Sequence, residues 1–284
     1  MIRVHDLTYT YAGTDTPAIQ SLNFGIERGQ IFGFLGPSGA GKSTTQKVLI
    51  GLLHGYQGRV TVMERELRSW HSDYYERIGV SFEVPNLYQK LTGIENLRYY
   101  GSLYGGRTHE PRTLLEWVGL EKDGNLLVSQ YSKGMKNRLN VARALLHDPE
   151  LLFLDEPTVG LDPVNARRIK DLIKAQQEAG KTVFLTTHNM TVADELCDQV
   201  AFIVDGHISI IDAPSALKLR YGEPTLRVEY GTAEQPEARV FELDGLGDNA
   251  HFLDLLRTRQ VKTMHSQEAT LETVFIQVTG RRLT

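Results

Sequence analysis

The stretch Gln30-Ile31-Phe32-Gly33-Phe34-Leu35, running into Gly36-Pro37-Ser38-Gly39-Ala40-Gly41-Lys42-Ser43-Thr44, decides how the rest of the chain is read. A short apolar strand enters a glycine-rich loop of the form G-x-x-x-x-G-K-[ST], and a helical pattern follows from Lys42 to about Leu53. Each part has a chemical reason. Glycines let backbone N–H groups curl around phosphate oxygens, where a side chain would block the approach. The loop ends at a helix N-terminus, whose unpaired N–H groups and dipole favour negative charge. Lys42 reaches the outer phosphates, the Ser43 hydroxyl ligates Mg²⁺, and Thr44 helps hold phosphate. The loop from Gly36 to Thr44 is therefore expected to bind a nucleoside triphosphate with its metal.

Working outward, Leu151-Leu152-Phe153-Leu154-Asp155-Glu156 is a continuous apolar run that ends in two carboxylates. Such a run suits a parallel strand covered on both faces. Asp155 is expected to hold Mg²⁺, directly or through water, and Glu156 to polarise the attacking water. Strand-like Thr182-Val183-Phe184-Leu185 follows a helical pattern near Pro163–Glu178. Strands alternating with helices predict an α/β fold with a mainly parallel sheet. Upstream, Ile2-Arg3-Val4 and Leu22-Asn23-Phe24-Gly25-Ile26 alternate as an N-terminal antiparallel β-region would. Residues from about 85 to 146 read as a helical subdomain, with Ile94, Leu97 and Tyr100, then Leu114, Leu115 and Val118, at helical spacing. Composition shifts near Arg220, and Tyr221-Gly222-Glu223-Pro224 reads as a linker. The expected division is a cassette over 1–220 and a small α+β appendage over 221–284.

Bulk properties narrow the classes. Hydrophobic residues make up 41% and charged residues 23%, an ordinary globular balance, and the net charge of -4 argues against broad nucleic-acid affinity. The single cysteine, Cys197, excludes an internal disulfide and a cysteine-rich metal site, and is expected to pack in the core. No apolar run is long enough to span a bilayer, and Met1–Asp6 lacks a signal-peptide layout, so a membrane role is expected to come through a partner.

Tyr131-Ser132-Lys133-Gly134-Met135-Lys136 lies before the acidic strand, Gly160-Leu161-Asp162 after it, and His188 at the end of the next strand. In this order the motifs resemble the ATP-binding-cassette (ABC) ATPases, over roughly Met1 to Arg220. The resemblance implies a P-loop NTPase cassette that binds ATP and Mg²⁺ and hydrolyses ATP. It implies two cassettes, a second copy or a related chain, sandwiching two nucleotides head to tail. Each site would pair one subunit's phosphate loop with the other's Ser132, Lys133 and Gly134. Ser132 is a good helix N-cap, so its helix would aim its positive end at the γ-phosphate. By the same resemblance Tyr11 stacks on adenine, with Tyr9 as the competing choice; His188 contacts the γ-phosphate and orients Glu156; and Asp162 acts across the dimer interface.

The chain departs from the family in two places. The signature keeps Ser132 and Gly134 of the usual L-S-G-G-Q but has Tyr131, Lys133 and Met135 at the other positions. Such S-K-G-M variants resemble exporter-type cassettes. Where the family has a Gln after the strand ending Val80-Ser81-Phe82, this chain has Glu83. A carboxylate there is expected to serve as a metal ligand with altered turnover. The family resemblance implies a membrane permease as partner, seated on the helical region around Tyr88, Leu91 and Tyr99, and a peripheral place on the cytoplasmic face of the membrane. The tail Leu271–Arg281 resembles that of cassettes paired with drug and lipid exporters. The alternatives are an importer ATPase, or a cassette of translation or DNA maintenance, although the coiled coils and zinc cysteines common in the latter are absent.

Overall fold

The computed structural model describes residues 1–222, 224–231, 236–267 and 269–281; Glu223 of the expected linker lies outside them. In chain order the first part contains β1 (Ile2–Tyr9), β2 (Ile19–Ile26), β3 (Ile31–Leu35), α1 (Lys42–Leu49), β4 (Gln57–Val62), β5 (Arg65–Glu66) and β6 (Ile78–Ser81). It continues with α2 (Gly93–Gly101), α3 (Pro111–Trp117), α4 (Lys133–Ala144), β7 (Leu151–Asp155), α5 (Pro163–Glu178), β8 (Thr182–Thr187), α6 (Met190–Leu196), β9 (Gln199–Val204) and β10 (His207–Asp212). Then come α7 (Pro214–Tyr221), β11 (Thr225–Gly231), β12 (Pro236–Glu242), α8 (Ala250–Thr258), β13 (Val261–Gln267) and α9 (Leu271–Thr279).

Two sheets build the larger unit. One has the order β10-β9-β3-β8-β7-β6 and is parallel except for β10, which pairs antiparallel with β9. The other is the antiparallel sheet β2-β1-β4-β5. Strands β3, β7 and β8 are buried at every position, which explains their unbroken apolar sequences. Phe24 of the antiparallel sheet stacks on Phe32 and tilts against Phe34, with ring centroids 5.7 and 5.6 Å apart. Phe184 meets Phe34 and Phe153 at 5.5 and 5.7 Å, so aromatic rings link the two sheets through one core.

Helix boundaries follow local chemistry. Helix α1 ends at Leu49 rather than near Leu53, because Gly51 sits in the left-handed region at φ 76° two residues later. Thr92 and Glu95 form a reciprocal capping box at the start of α2. Ser132 caps α4, accepting a 3.2 Å bond from the Met135 N–H, and Asp162 caps α5 through the Val164 and Asn165 N–H groups. Helix α4 then lies close on β6: a Cβ on Gly79 would fall 2.0 Å from the Ala144 carbonyl oxygen.

The chain forms two compact units, and the second begins at Pro214, so α7 falls within it. There β12-β11-β13 form an antiparallel sheet whose Val228, Tyr230 and Phe241 pack against Phe252 and Leu255 of α8. Helices α7 and α9 pack together. Among the described residues no helix is long and apolar enough to cross a membrane.

His147, just before β7, is buried and stacks face to face on Tyr104 at 3.9 Å. Its Nε2 lies 2.9 Å from the Ile78 carbonyl oxygen, while Nδ1 is buried without a partner among the described residues. Burial pulls its pKa below the usual 6.5, against a smaller opposing pull from the Ile78 carbonyl. The unfolded chain therefore takes this proton first as pH falls through that ordinary value. The stabilising effect of a neutral His147 is present above it and is lost toward the lowered folded-state value. Acidification from about pH 7.5 to about 5.5 should lower the melting temperature of the wild type by a few degrees more than that of His147→Gln. Parallel pH–melting curves for the two proteins would contradict this.

Candidate nucleotide site

In an α/β sheet the strand ends form a natural crevice. Here the C-terminal ends of β3, β6, β7 and β8 deliver the phosphate loop, Glu83, Asp155 with Glu156, and His188 to one edge. Gly36 leaves β3 so close to β9 that a Cβ would lie 2.1 Å from the Ile203 carbonyl oxygen. Gly41 has φ 108° and would collide with Ile19, whereas the space beside Gly39, at φ 80°, is open. Ser38, Gly39 and Ser43 are exposed, Pro37 is half-buried, and Ala40 and Thr44 are buried. These glycines give the loop its path, which fits a bound phosphate chain.

Lys42 curls back, donating to the Gly36 and Pro37 carbonyl oxygens at 2.7 and 2.9 Å. Burial lowers its pKa, opposed by the charges of Glu156, Asp155 and Glu83. Asp155 is 8% exposed, and burial raises its pKa; Glu83 and Glu156 add to the rise, while the Thr186 hydroxyl bond and Lys42 oppose it. Both groups are thus pushed toward neutrality: burial outweighs their mutual attraction. A phosphate beside Lys42 and a divalent cation beside Asp155 would each fit the charge of these groups. The exposed Glu83 is near enough to act on Lys42 and Asp155. Ser43, Asp155 and Glu83 are all oxygen donors, a hard set suited to Mg²⁺.

Glu156 is held more firmly than any other residue here. It accepts from the Thr187 hydroxyl at 2.8 Å and the His188 N–H at 2.8 Å, and His188 Nδ1 lies 2.5 Å from its Oε1. Its backbone occupies the left-handed region at φ 49°, a conformation that costs a non-glycine residue about 1 to 2 kcal/mol. Bonds from its own N–H to the Thr186 carbonyl, and from the Val159 N–H to its carbonyl, maintain that turn. His188, with a 54% exposed side chain, therefore touches Glu156 with one ring nitrogen and faces solvent with the rest. Sequence reasoning passed over Thr186 and Thr187 as strand residues. Their hydroxyls fix Asp155 and Glu156 respectively, and the legible signal was two threonines directly before His188.

Tyr11 lies just beyond β1, its hydroxyl 3.1 Å from Thr44 Oγ1, and Tyr9 meets it edge-on at 5.0 Å. Tyr11 is thus beside the phosphate loop, and Tyr9 supports it. Ser132, Lys133 and Gly134 lie with Gly160 and Leu161, just before Asp162. A Cβ on Gly134 would lie 3.1 Å from the Gly160 carbonyl oxygen, and the Lys133 methylenes cover Gly160. The side chain of Asn165 and the two capping N–H bonds hold the Asp162 carboxyl below its ordinary pKa. One chain therefore carries two clusters: a loop-and-acid cluster around Lys42, and a helix-end cluster around Ser132.

Comparison with known proteins agrees with this geometry. Residues 19–159 match the family model described as ABC transporter, and residues 225–268 match the Fluoroquinolone efflux ABC transporter C-terminal domain. A fluoroquinolones export ATP-binding protein of Mycobacterium tuberculosis is 56% identical over 100% of this chain and 95% of its own length. A Nod factor export ATP-binding protein I of Bradyrhizobium diazoefficiens is 36% identical over 95% of this chain and 94% of its own. Among solved structures, an ATP-binding subunit of an ABC transporter superposes with TM-score 0.70 at 28% identity, covering 78% of this chain and 93% of that one. A dimeric ATP-binding cassette in a post-hydrolysis state, bound to ADP and Pi, gives TM-score 0.68 at 28% identity, over 75% and 98%. With its phosphate loop, paired acids and capped signature helix in the family's order, the chain belongs to the ABC transporter ATPases and is an ATP-hydrolysing subunit of that family.

Proposed function

We propose that this ATPase powers a small-molecule exporter, working as a head-to-tail dimer attached to a membrane permease at the cytoplasmic face. The presence of both clusters on one chain carries the reading. The Lys42 cluster has the groups for the phosphates, metal and water, and the Ser132 cluster has a helix N-terminus suited to a γ-phosphate. A second copy would bring its own Ser132 cluster to this chain's Lys42 cluster, and the reverse. Export rests on the likeness to the fluoroquinolone and Nod factor export proteins, and an aromatic drug is the cargo class we favour.

Within each composite site Tyr11 stacks on adenine, and the N–H groups of residues 36–44 with Lys42 hold the phosphates. Ser43, Asp155 and Glu83 would hold Mg²⁺, which would supply charge neutralisation to the phosphoryl oxygens. Glu156, aimed by Thr187 and His188, takes the proton of the attacking water. Asp162 lies at the interface between copies. The division of labour is a cassette that ends where the second compact unit begins, at Pro214 rather than the expected 221, and an accessory region beyond it. The permease seat is the tyrosine cluster of this region: the exposed Tyr88 and Tyr99 have ring centroids 4.7 Å apart, beside Tyr100. Amphipathic rings on such a surface suit a docking helix.

Glu156→Gln should lower the ATPase rate at least about a hundredfold, since it removes the general base, and should trap an ATP-dependent dimer on size exclusion. A monomer under those conditions would overturn the head-to-tail reading. Glu83→Gln should change both the ATPase rate and the Mg²⁺ concentration for half-maximal activity; if neither changes, Glu83 is not a metal ligand. Affinity purification from detergent-solubilised membranes tests the partner. A stoichiometric multi-span protein supports export machinery, whereas ribosomal or DNA-repair proteins would assign the chain elsewhere.

A further inference from the structure

Helix α4, which begins at the Ser132 cap, carries Asn137, Asn140 and Arg143 at three-residue spacing, along one side of the helix. Each reaches a segment that bears a site carboxylate. Asn137 Nδ2 donates to the Val159 carbonyl at 2.7 Å, three residues beyond Glu156. Asn140 Nδ2 donates to Ser81 Oγ at 2.9 Å and to the Phe82 carbonyl at 2.7 Å. Arg143 Nη1 donates to the Asn86 carbonyl at 2.8 Å, and its guanidinium lies over the Tyr100 ring. The last two side chains therefore tie down both ends of the segment Phe82–Asn86, which contains Glu83.

The plain reading of Asn140 is a buried polar residue that packs a helix on a strand. Its own chemistry argues for more. Asn140 is 1% exposed, and its Oδ1 is buried without a partner among the described residues. A buried acceptor left unpaired opposes folding, and an apolar residue of similar size would pack there without that cost. What the amide provides is direction. It holds the peptide that leads directly into Glu83, and holds it to the same helix whose first turn belongs to the Ser132 cluster.

We propose that Asn140 is a positioning residue for ATP hydrolysis. With Arg143 it fixes the Phe82–Asn86 segment to α4, so the placement of Glu83 and the placement of the Ser132 helix end are set together. Engagement of the Ser132 end by a nucleotide on the other copy then biases Glu83 in this copy, and by linkage the reverse holds. The chemical consequence rests on the metal role of Glu83 given above; the tie itself does not.

The test is a double-mutant cycle on the purified full chain, with Mg²⁺-ATP, scored by kcat, KM, melting temperature and hydrogen–deuterium exchange over residues 79–91. Asn140→Ala should lower kcat about tenfold with KM for ATP changed less than about twofold, the loss expected for two hydrogen bonds that orient a reacting group. The melting temperature should stay within a few degrees of wild type, because the variant also removes the orphaned Oδ1. Exchange over 79–91 should quicken, and in the Glu83→Gln background the kcat effect should shrink to less than about twofold. Arg143→Ala, a change at a partly exposed site, should act in the same direction and show the same dependence on Glu83. Equal fold-losses with and without Glu83, together with unchanged exchange over 79–91, would overturn the proposal. If Glu83→Gln alone changes nothing, the metal role of Glu83 fails. The positioning role then stands on faster exchange with lower kcat in Asn140→Ala, and falls if either is missing.

Discussion

Parallel strands bring their C-terminal ends to one edge, and in this chain that edge collects Lys42 together with Asp155, Glu156 and Glu83. Desolvation there is stronger than the attraction between the lysine and the acids, so Lys42 is drawn down in pKa and Asp155 up. A site in that state has a carboxylate excess and is poorly suited to a bare polyphosphate. A divalent cation and an anion together would fit that balance of burial and charge. The balance also explains why so much structure is devoted to the acids: the threonine hydroxyls and the His188 N–H oppose repulsion between groups that would otherwise part.

Glu156 shows how the fold directs a single side chain. Its left-handed backbone ends β7 abruptly and turns the carboxylate back toward the end of β8. Thr187 and His188 receive it there, and the bonds from neighbouring backbone compensate the local strain. Helix α4 serves the same end at longer range. Its close approach to β6, possible because residue 79 is glycine, lets short amide side chains reach the segments after both β6 and β7.

What was legible in the sequence was local. The phosphate loop, the apolar strand ending in Asp155 and Glu156, and the cap at Ser132 each depend on residues within a few positions of one another. The fully buried strands could be read because both faces are covered. Strand β13 was not, since His265 and its neighbours lie largely exposed and leave no apolar alternation. The expected overrun of α1 came from following apolar spacing past Gly51, whose conformation ends the helix. The anchors Asn137, Asn140 and Arg143 were invisible for another reason: their partners lie 22, 58 and 57 residues away, and no short-range pattern encodes such pairs.

The pairing proposed between one copy's Lys42 cluster and the other's Ser132 cluster has a genetic corollary. In a two-copy arrangement, take one chain crippled in its phosphate loop and another crippled at its signature helix. Pairing them puts both defects into one composite site and leaves the other with an intact loop and an intact helix end. Two alleles that are each inactive alone would then complement within the same gene, while two alleles damaged in the same cluster would not.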